Sequence, residues 1–159
     1  MKICVVDVAR VFAQSKPAEE ARKHLAEVQS TLKKGLDDVV ELYKDNVASP
    51  EAQNAIAQAR DLLQQQMNVE QQAADAVVRN LLVEVTEEWR KEHDDVDMIV
   101  ARQQLVFCKP EFDVTGELIE KINEKTPKFP DLPKVSINKK EPGFKSEAVR
   151  KRSGGLAIS

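Results

Sequence analysis

The sequence predicts an α+β fold in which a long antiparallel helical hairpin, a coiled-coil tentacle, is set on a small β-sheet body. Three observations lead there. First, apolar residues at helical spacing are mirrored about Asn46-Val47-Ala48-Ser49-Pro50. Ala21, Val28, Leu32, Leu36, Val39 and Tyr43 have reflected counterparts at Ala74, Met67, Leu63, Ala59, Ile56 and Ala52. Folding the chain back at residues 47 to 48 therefore lays one stripe against the other. Second, short apolar runs suited to strands lie near residues 3 to 8 and 98 to 108. Third, 32% charged residues, 5 glycines and 4% aromatics in 159 residues suit solvated helices with Ala, Val and Leu seams.

Each element has a local reason. Lys2-Ile3-Cys4-Val5-Val6-Asp7-Val8 is short and β-branched, with Ile3 and Val5 on one face and Cys4 and Val6 on the other, so it reads as a strand covered on both sides. A short helical segment follows through Arg10, Val11 and Phe12. Ser15-Lys16-Pro17 restarts the helix, with proline in its first turn and Glu19 and Glu20 at the positive end of the dipole. The first long helix runs to about Asp45. Ser49-Pro50-Glu51 repeats the start signal, and the second helix runs to about Lys91. Gly35 invites a bend, costing about 1 kcal/mol against alanine in a helix interior. Gln64, Gln65, Gln66, Glu70, Gln71 and Gln72 surround Met67 and Val69 and put Glu70 opposite Leu25. The seam should be weak there and bend.

Beyond this gap the mirrored register places Val77, Leu81, Val85 and Trp89 beside residues 6 to 18, which makes Trp89 a core residue. After Glu92-His93-Asp94-Asp95, Met98-Ile99-Val100-Ala101 and Leu105-Val106-Phe107-Cys108 flank Arg102-Gln103-Gln104 and read as a β-hairpin, without the glycine of a tight turn. Thr115 or Asp113 can cap a last helix whose apolar side is Leu118, Ile119 and Ile122. The resulting domains are 1–125, with 1–16 and 93–125 as body and 17–92 as tentacle, and a tail at 126–159. In the tail Pro127, Pro130, Pro133 and Pro142 sit among lysines, so an extended, flexible segment is expected.

Charge and chemistry narrow the function. Residues 126–159 carry eight Lys or Arg against three Asp or Glu, so a net charge of −3 leaves the preceding residues near −8. Such a body does not favour nucleic acid as a partner. No stretch approaches the roughly 20 apolar residues of a membrane span, and the N-terminal run is too short for a secretory signal. The chain reads as cytoplasmic or as a mature exported protein. Cys4 and Cys108 read as buried thiols rather than a disulfide, since nothing in the sequence brings their Cα atoms together. There is no phosphate-binding glycine loop, no Cys pair at zinc spacing and no Ser-His-Asp signature. Glu92, His93, Asp94, Asp95 and Asp97 are the one metal-like cluster and read as side chains facing water. No catalytic, cofactor or metal residues are assigned, and an enzyme is not expected.

The strands make a small sheet with open edges and more apolar surface than one short helix covers. Ile3, Val5, Met98, Val100, Leu105 and Phe107 are therefore the candidate oligomerisation residues. A ring of identical subunits would close such edges.

Lys2-Ile3 through Val5-Val6-Asp7-Val8 to Arg10-Val11-Phe12, and Val100-Ala101-Arg102-Gln103-Gln104-Leu105-Val106-Phe107 through Pro110 to Asp113-Val114-Thr115-Gly116-Glu117-Leu118-Ile119, resemble the two ends of the Skp (OmpH-like) periplasmic chaperones. The order strand, helical hairpin, β-hairpin, helix is similar too. The resemblance covers the first 12 residues and residues 97 to 123, with the helices between agreeing in pattern. It implies a homotrimer with a β-body and helical tentacles that holds unfolded outer-membrane proteins in its cavity without ATP, in the periplasm after removal of a signal peptide. The best-known members are basic, whereas this body is acidic, which argues against peripheral contact with lipid. Met67 and Val69, amid small and Gln-rich surfaces, are the expected client-contact residues. The alternative is a structural coiled-coil adaptor that binds one folded partner through prong tips or tail.

Overall fold

A computed structural model describes residues 1–138, 144–146 and 155–158. The chain divides into two compact units, residues 1–23 with 73–129 and residues 24–72 with 130–159. The second helix, α2 (Lys16–Leu42), and the third, α3 (Pro50–Glu92), each run through both. The helices are thus divided within their length rather than at their ends. The body anticipated at 1–16 and 93–125 gains helical residues, because Leu82, Val85 and Trp89 of α3 share a core with the chain's first strand.

In the first unit, β1 (Ile3–Val6) pairs in parallel with β2 (Met98–Ala101), in the register Ile3↔Met98 to Val6↔Ala101. Parallel strands need a long crossover, and here the two helices supply it. Cys4 and Val6 join Val11 of α1 (Val8–Gln14), Leu82, Val85, Trp89, Val96 and Val114 in the core. Leu118 and Ile122 of α4 (Thr115–Asn123) complete it. The expected β-hairpin does not form. Arg102–Gln104 makes a 3-10 turn closed by the Leu105 N–H donating to Arg102 O, and Leu105 to Cys108 lie in no strand. Without a residue suited to a tight reversal, β2 takes its ladder from β1 instead. The sheet therefore has two strands rather than three.

Local start signals act as expected. The Asp7 carboxylate accepts from Arg10 N at the head of α1, at 3.0 Å. The Ser15 hydroxyl accepts from Ala18 N at 3.3 Å, and the Ser49 hydroxyl from Ala52 N at 3.1 Å. Each satisfies a donor that a helix start leaves without a partner.

Besides Pro17 in its first turn, buried positions of α2 fall at Ala18, Ala21, Leu25, Val28, Leu32, Gly35 and Val39, alternating steps of three and four. That is the spacing of a coiled-coil seam, and α2 continues through Gly35 without interruption. On α3 the buried set is Ala52, Ala55, Ile56, Ala59, Leu63, Glu70 and Ala74, then Val78, Leu82, Val85 and Trp89. Val77 and Leu81 were expected on the seam and are only half-buried. Successive steps of four from Glu70 to Leu82 advance the buried stripe by one residue, as a stutter does in a coiled coil.

In the second unit Val28, Leu32 and Val39 pack with Ile56, Ala59 and Leu63, bringing mirrored partners of the sequence into one cluster. Leu36, Tyr43 and Met67 border it. Glu70, in the expected weak gap, is buried, and the Gln66 side-chain amide donates to its carboxylate at 2.8 Å. The tail was expected to be flexible; its described residues include three short strands, while Pro142 lies outside the described residues. Strands β3 (Val135–Asn138), β4 (Phe144–Ser146) and β5 (Gly155–Ile158) form a sheet ordered β3-β5-β4. Val135, Ile137 and Ile158 pack against the helix cluster. Alternation of Val135 and Ile137 with exposed Ser136 supplies the period-two apolar face that composition alone hid.

Candidate functional site

Two open apolar grooves stand out, one in each unit. The groove of the second unit encloses about 730 Å3 between α2 and α3. Leu32, Leu36, Leu63 and Met67 supply apolar lining, Gln29 and Gln64 supply uncharged polar groups, and Lys33 and Arg60 are the charged lining residues. Leucine and methionine give deformable contact surface, and neighbouring amides can bond to a passing backbone. Met67, expected to touch a client, lines this groove. Val69 does not; it is 57% exposed on the helix surface. The rim residues were missed in the sequence. Ala26, Ser30 and Lys33 make a second stripe of steps four and three beside the seam, which is the signal that locates them.

In the first unit a groove of about 520 Å3 runs beside β1. Ile3, Val5, Leu105, Phe107 and Phe112 form most of its apolar lining. Three of the candidate oligomerisation residues are strongly presented: Phe107 is 79% exposed, Met98 47% and Leu105 39%. Ile3 and Val100 are half-buried, whereas Val5 is buried within its own chain. Val106 is fully exposed next to Phe107, and Phe112 joins the groove from a 3-10 turn at Pro110–Phe112. Neither was singled out. Part of the outer edge of β1 is already used, by the bridge from Val5 to Asp113 and the Val114 N–H donating to Val5 O at 3.0 Å.

Residues from both stretches that carry the resemblance converge on a polar knot in the first unit. The Asp7 N–H donates to the Thr115 hydroxyl at 2.8 Å, and that hydroxyl donates to the Asp113 carboxylate. Asp113 also accepts from Thr115 N at 2.9 Å and faces Arg102 at 3.6 Å. Gln103 donates to the Asp7 carboxylate at 2.8 Å. Partial burial pushes the Asp113 carboxyl upward, but the Thr115 donors and the Arg102 charge outweigh it and hold the group below its ordinary value. Thr115 is fully buried with its polar group satisfied, so the motif's chemistry here is structural.

The acidic cluster after α3 is also engaged. Glu92 pairs with Lys121 at 2.9 Å, Asp95 with the Lys2 ammonium, and Asp97 accepts from Lys2 N at 2.7 Å. His93 stacks on Trp89 with ring centroids 3.9 Å apart. Among the described residues no group of three His, Cys, Asp or Glu is arranged to hold a metal. Cys4 and Cys108 are free thiols, Cys4 buried and Cys108 part-exposed in the groove. Burial pushes the Cys4 thiol above its ordinary value, which disfavours the reactive thiolate. Among the described residues no helix is long and apolar enough to cross a membrane.

No protein-family profile matches the chain, and no curated protein does. Among solved structures the chain is similar to one from Caulobacter crescentus, provisionally described as an OmpH-like outer membrane chaperone. The match has 15% identity and a TM-score of 0.42, and covers 77% of this chain and 83% of that one. A likeness at that level assigns neither a family nor an activity.

Proposed function

We propose that this protein is an ATP-independent holdase chaperone that binds unfolded outer-membrane proteins between the helical arms of a homotrimer in the periplasm. The observation that carries the reading is the open groove of the second unit. Its floor of Leu32, Leu36, Leu63 and Met67, edged by Gln29, Ser30 and Gln64, suits many weak contacts rather than one enclosed ligand. Repeating such a surface on several arms raises avidity without tight single contacts. The exposed Met98, Leu105, Val106 and Phe107 beside a two-stranded sheet support assembly through the first unit, because an apolar edge of this kind is unfavourable in water.

Mass in solution combined with an aggregation assay tests both halves. The expected result is a trimer that, at stoichiometric amounts and without nucleotide, keeps several unrelated unfolded outer-membrane proteins from aggregating. Replacing Phe107 or Val100 by Asp should dissociate the trimer. A trimer that survives either change would remove the sheet as assembly surface. A chain that binds one folded partner and leaves aggregation unaltered would be an adaptor instead.

A further inference from the structure

Described strands of the C-terminal segment pack against the hairpin in a manner relevant to the groove. Val135 and Ile137 of β3 and Ile158 of β5 pack in the cluster built from Val28, Leu32, Val39, Ile56, Ala59 and Leu63. Antiparallel register sets Val135 opposite Ile158, so the two stand on one face of the strand pair. Ile158 is buried there. Leu32 and Leu63 belong to that cluster, Leu36 and Met67 border it, and all four line the open groove. Charge favours the arrangement. Residues 24–72 carry eight Asp or Glu against four Lys or Arg, whereas residues 130–159 carry seven Lys or Arg against three Asp or Glu.

We propose that the strands at 135–138 and 155–158 are an intrachain occupant of the helical seam, standing in for a client and leaving when one binds. This inference rests on the holdase reading and names its ligand class, an extended segment with apolar residues at every second position. A β-strand of an unfolded outer-membrane barrel has that pattern. A tethered occupant needs no high affinity of its own, because its effective concentration is on the order of millimolar. It lowers apparent client affinity by the fraction of seams left open. Contact through few apolar side chains keeps it displaceable.

The test uses the full chain and its Val135→Asp/Ile158→Asp double variant, with helical circular dichroism as the check that the hairpin stays folded. The probe is a fluorescently labelled unfolded outer-membrane β-barrel protein diluted from urea. The variant should bind it about tenfold more tightly than the parent chain, and a synthetic peptide of residues 130–159 added in trans should reverse the gain. Hydrogen exchange gives a second readout that needs no client: amides of residues 28–39 and 56–67 should lose protection in the variant and regain it with the peptide. Measurable but equal probe affinity in parent and variant would overturn the proposal, as would unaltered exchange. If neither chain binds the probe while exchange responds as expected, the occupant stands and the holdase reading falls.

Discussion

The two compact units are held together by different means. The first closes on large side chains and a polar knot, with Trp89, Leu118 and Ile122 in its core and Asp7, Asp113 and Thr115 bonded in sequence. Its Trp89 Nε1–H also donates to Glu117 at 2.6 Å. The second closes on a seam of Val, Leu and Ala, and its described strands cover only part of that seam. Specific geometry is thus concentrated where the chain's distant motifs must meet. Adaptable apolar surface lies where a groove remains open. The contrast teaches that substitutions in the first unit should register as lost stability, and those along the second chiefly as altered binding.

The largest effect should follow Trp89→Ala, which removes a buried ring and its bond to Glu117. A loss of about 3–5 kcal/mol is expected in thermal or denaturant unfolding. Hydrogen exchange sharpens the comparison: the first unit should lose protection while residues 28–39 keep theirs. Equal loss in both would mean that the units unfold as one, and the contrast would break.

Thr115→Val should come next, at about 1–3 kcal/mol, because the Asp7 N–H loses its acceptor and Asp113 loses one of its donors. Acid titration checks the cause. The Asp113 carboxyl is held below 3.8 in the fold, so it stabilises the folded state at neutral pH and that contribution fades as pH falls beneath 3.8 toward its lowered folded value. The stability gap between parent and variant should therefore narrow on acidification, leaving the share that belongs to the Asp7 N–H. A constant difference across that range would separate the penalty from the carboxylate.

The smallest change should come from Lys125→Gln. The Lys125 ammonium donates to Glu88 and Glu84, at 2.6 and 3.0 Å; these bonds raise it above its ordinary value and fasten the chain just after α4 to α3. Such pairs sit in water and are screened, so the difference between parent and variant should vanish near 1 M salt, where the Debye length is about 3 Å. A persistent deficit at high salt would show that the lysine stem packs rather than pairs.

The helical hairpin was legible because its signals are local or mirrored. Caps at Ser15 and Ser49 act on donors three residues away, and Leu32 with Leu63 and Val39 with Ile56 meet in one cluster as the reflection requires. Beyond Glu70 the same reflection holds at Ala74, Val85 and Trp89 but misses by one residue at Val77 and Leu81, where the buried stripe runs through Val78 and Leu82. Strand letters at 105 to 108 carry no information on their partner, so adjacency suggested a hairpin while β2 paired with β1. Lysines and prolines outweighed Val135, Ile137 and Ile158 in a reading by composition. Of the candidate site, Met67 was reachable as an apolar member of the mirrored stripe amid glutamines, and Phe107 as part of a short apolar run. Val5 was not separable from Ile3, because alternation gives a face but not what already covers it.

The pairing of Ile3 with Met98 also sets a timetable for the chain's birth. A ribosome finishes the first strand long before its ladder partner exists, and at roughly 5–20 residues per second the wait is on the order of 5 to 20 s. Throughout that interval Ile3, Cys4, Val5 and Val6 have no β2 to bond with, while both long helices can be made and begin to zip. The newborn polypeptide is thus itself an unfinished, sticky chain until its last helix arrives, and anything that shelters it in that window acts on the N-terminal four-residue strand.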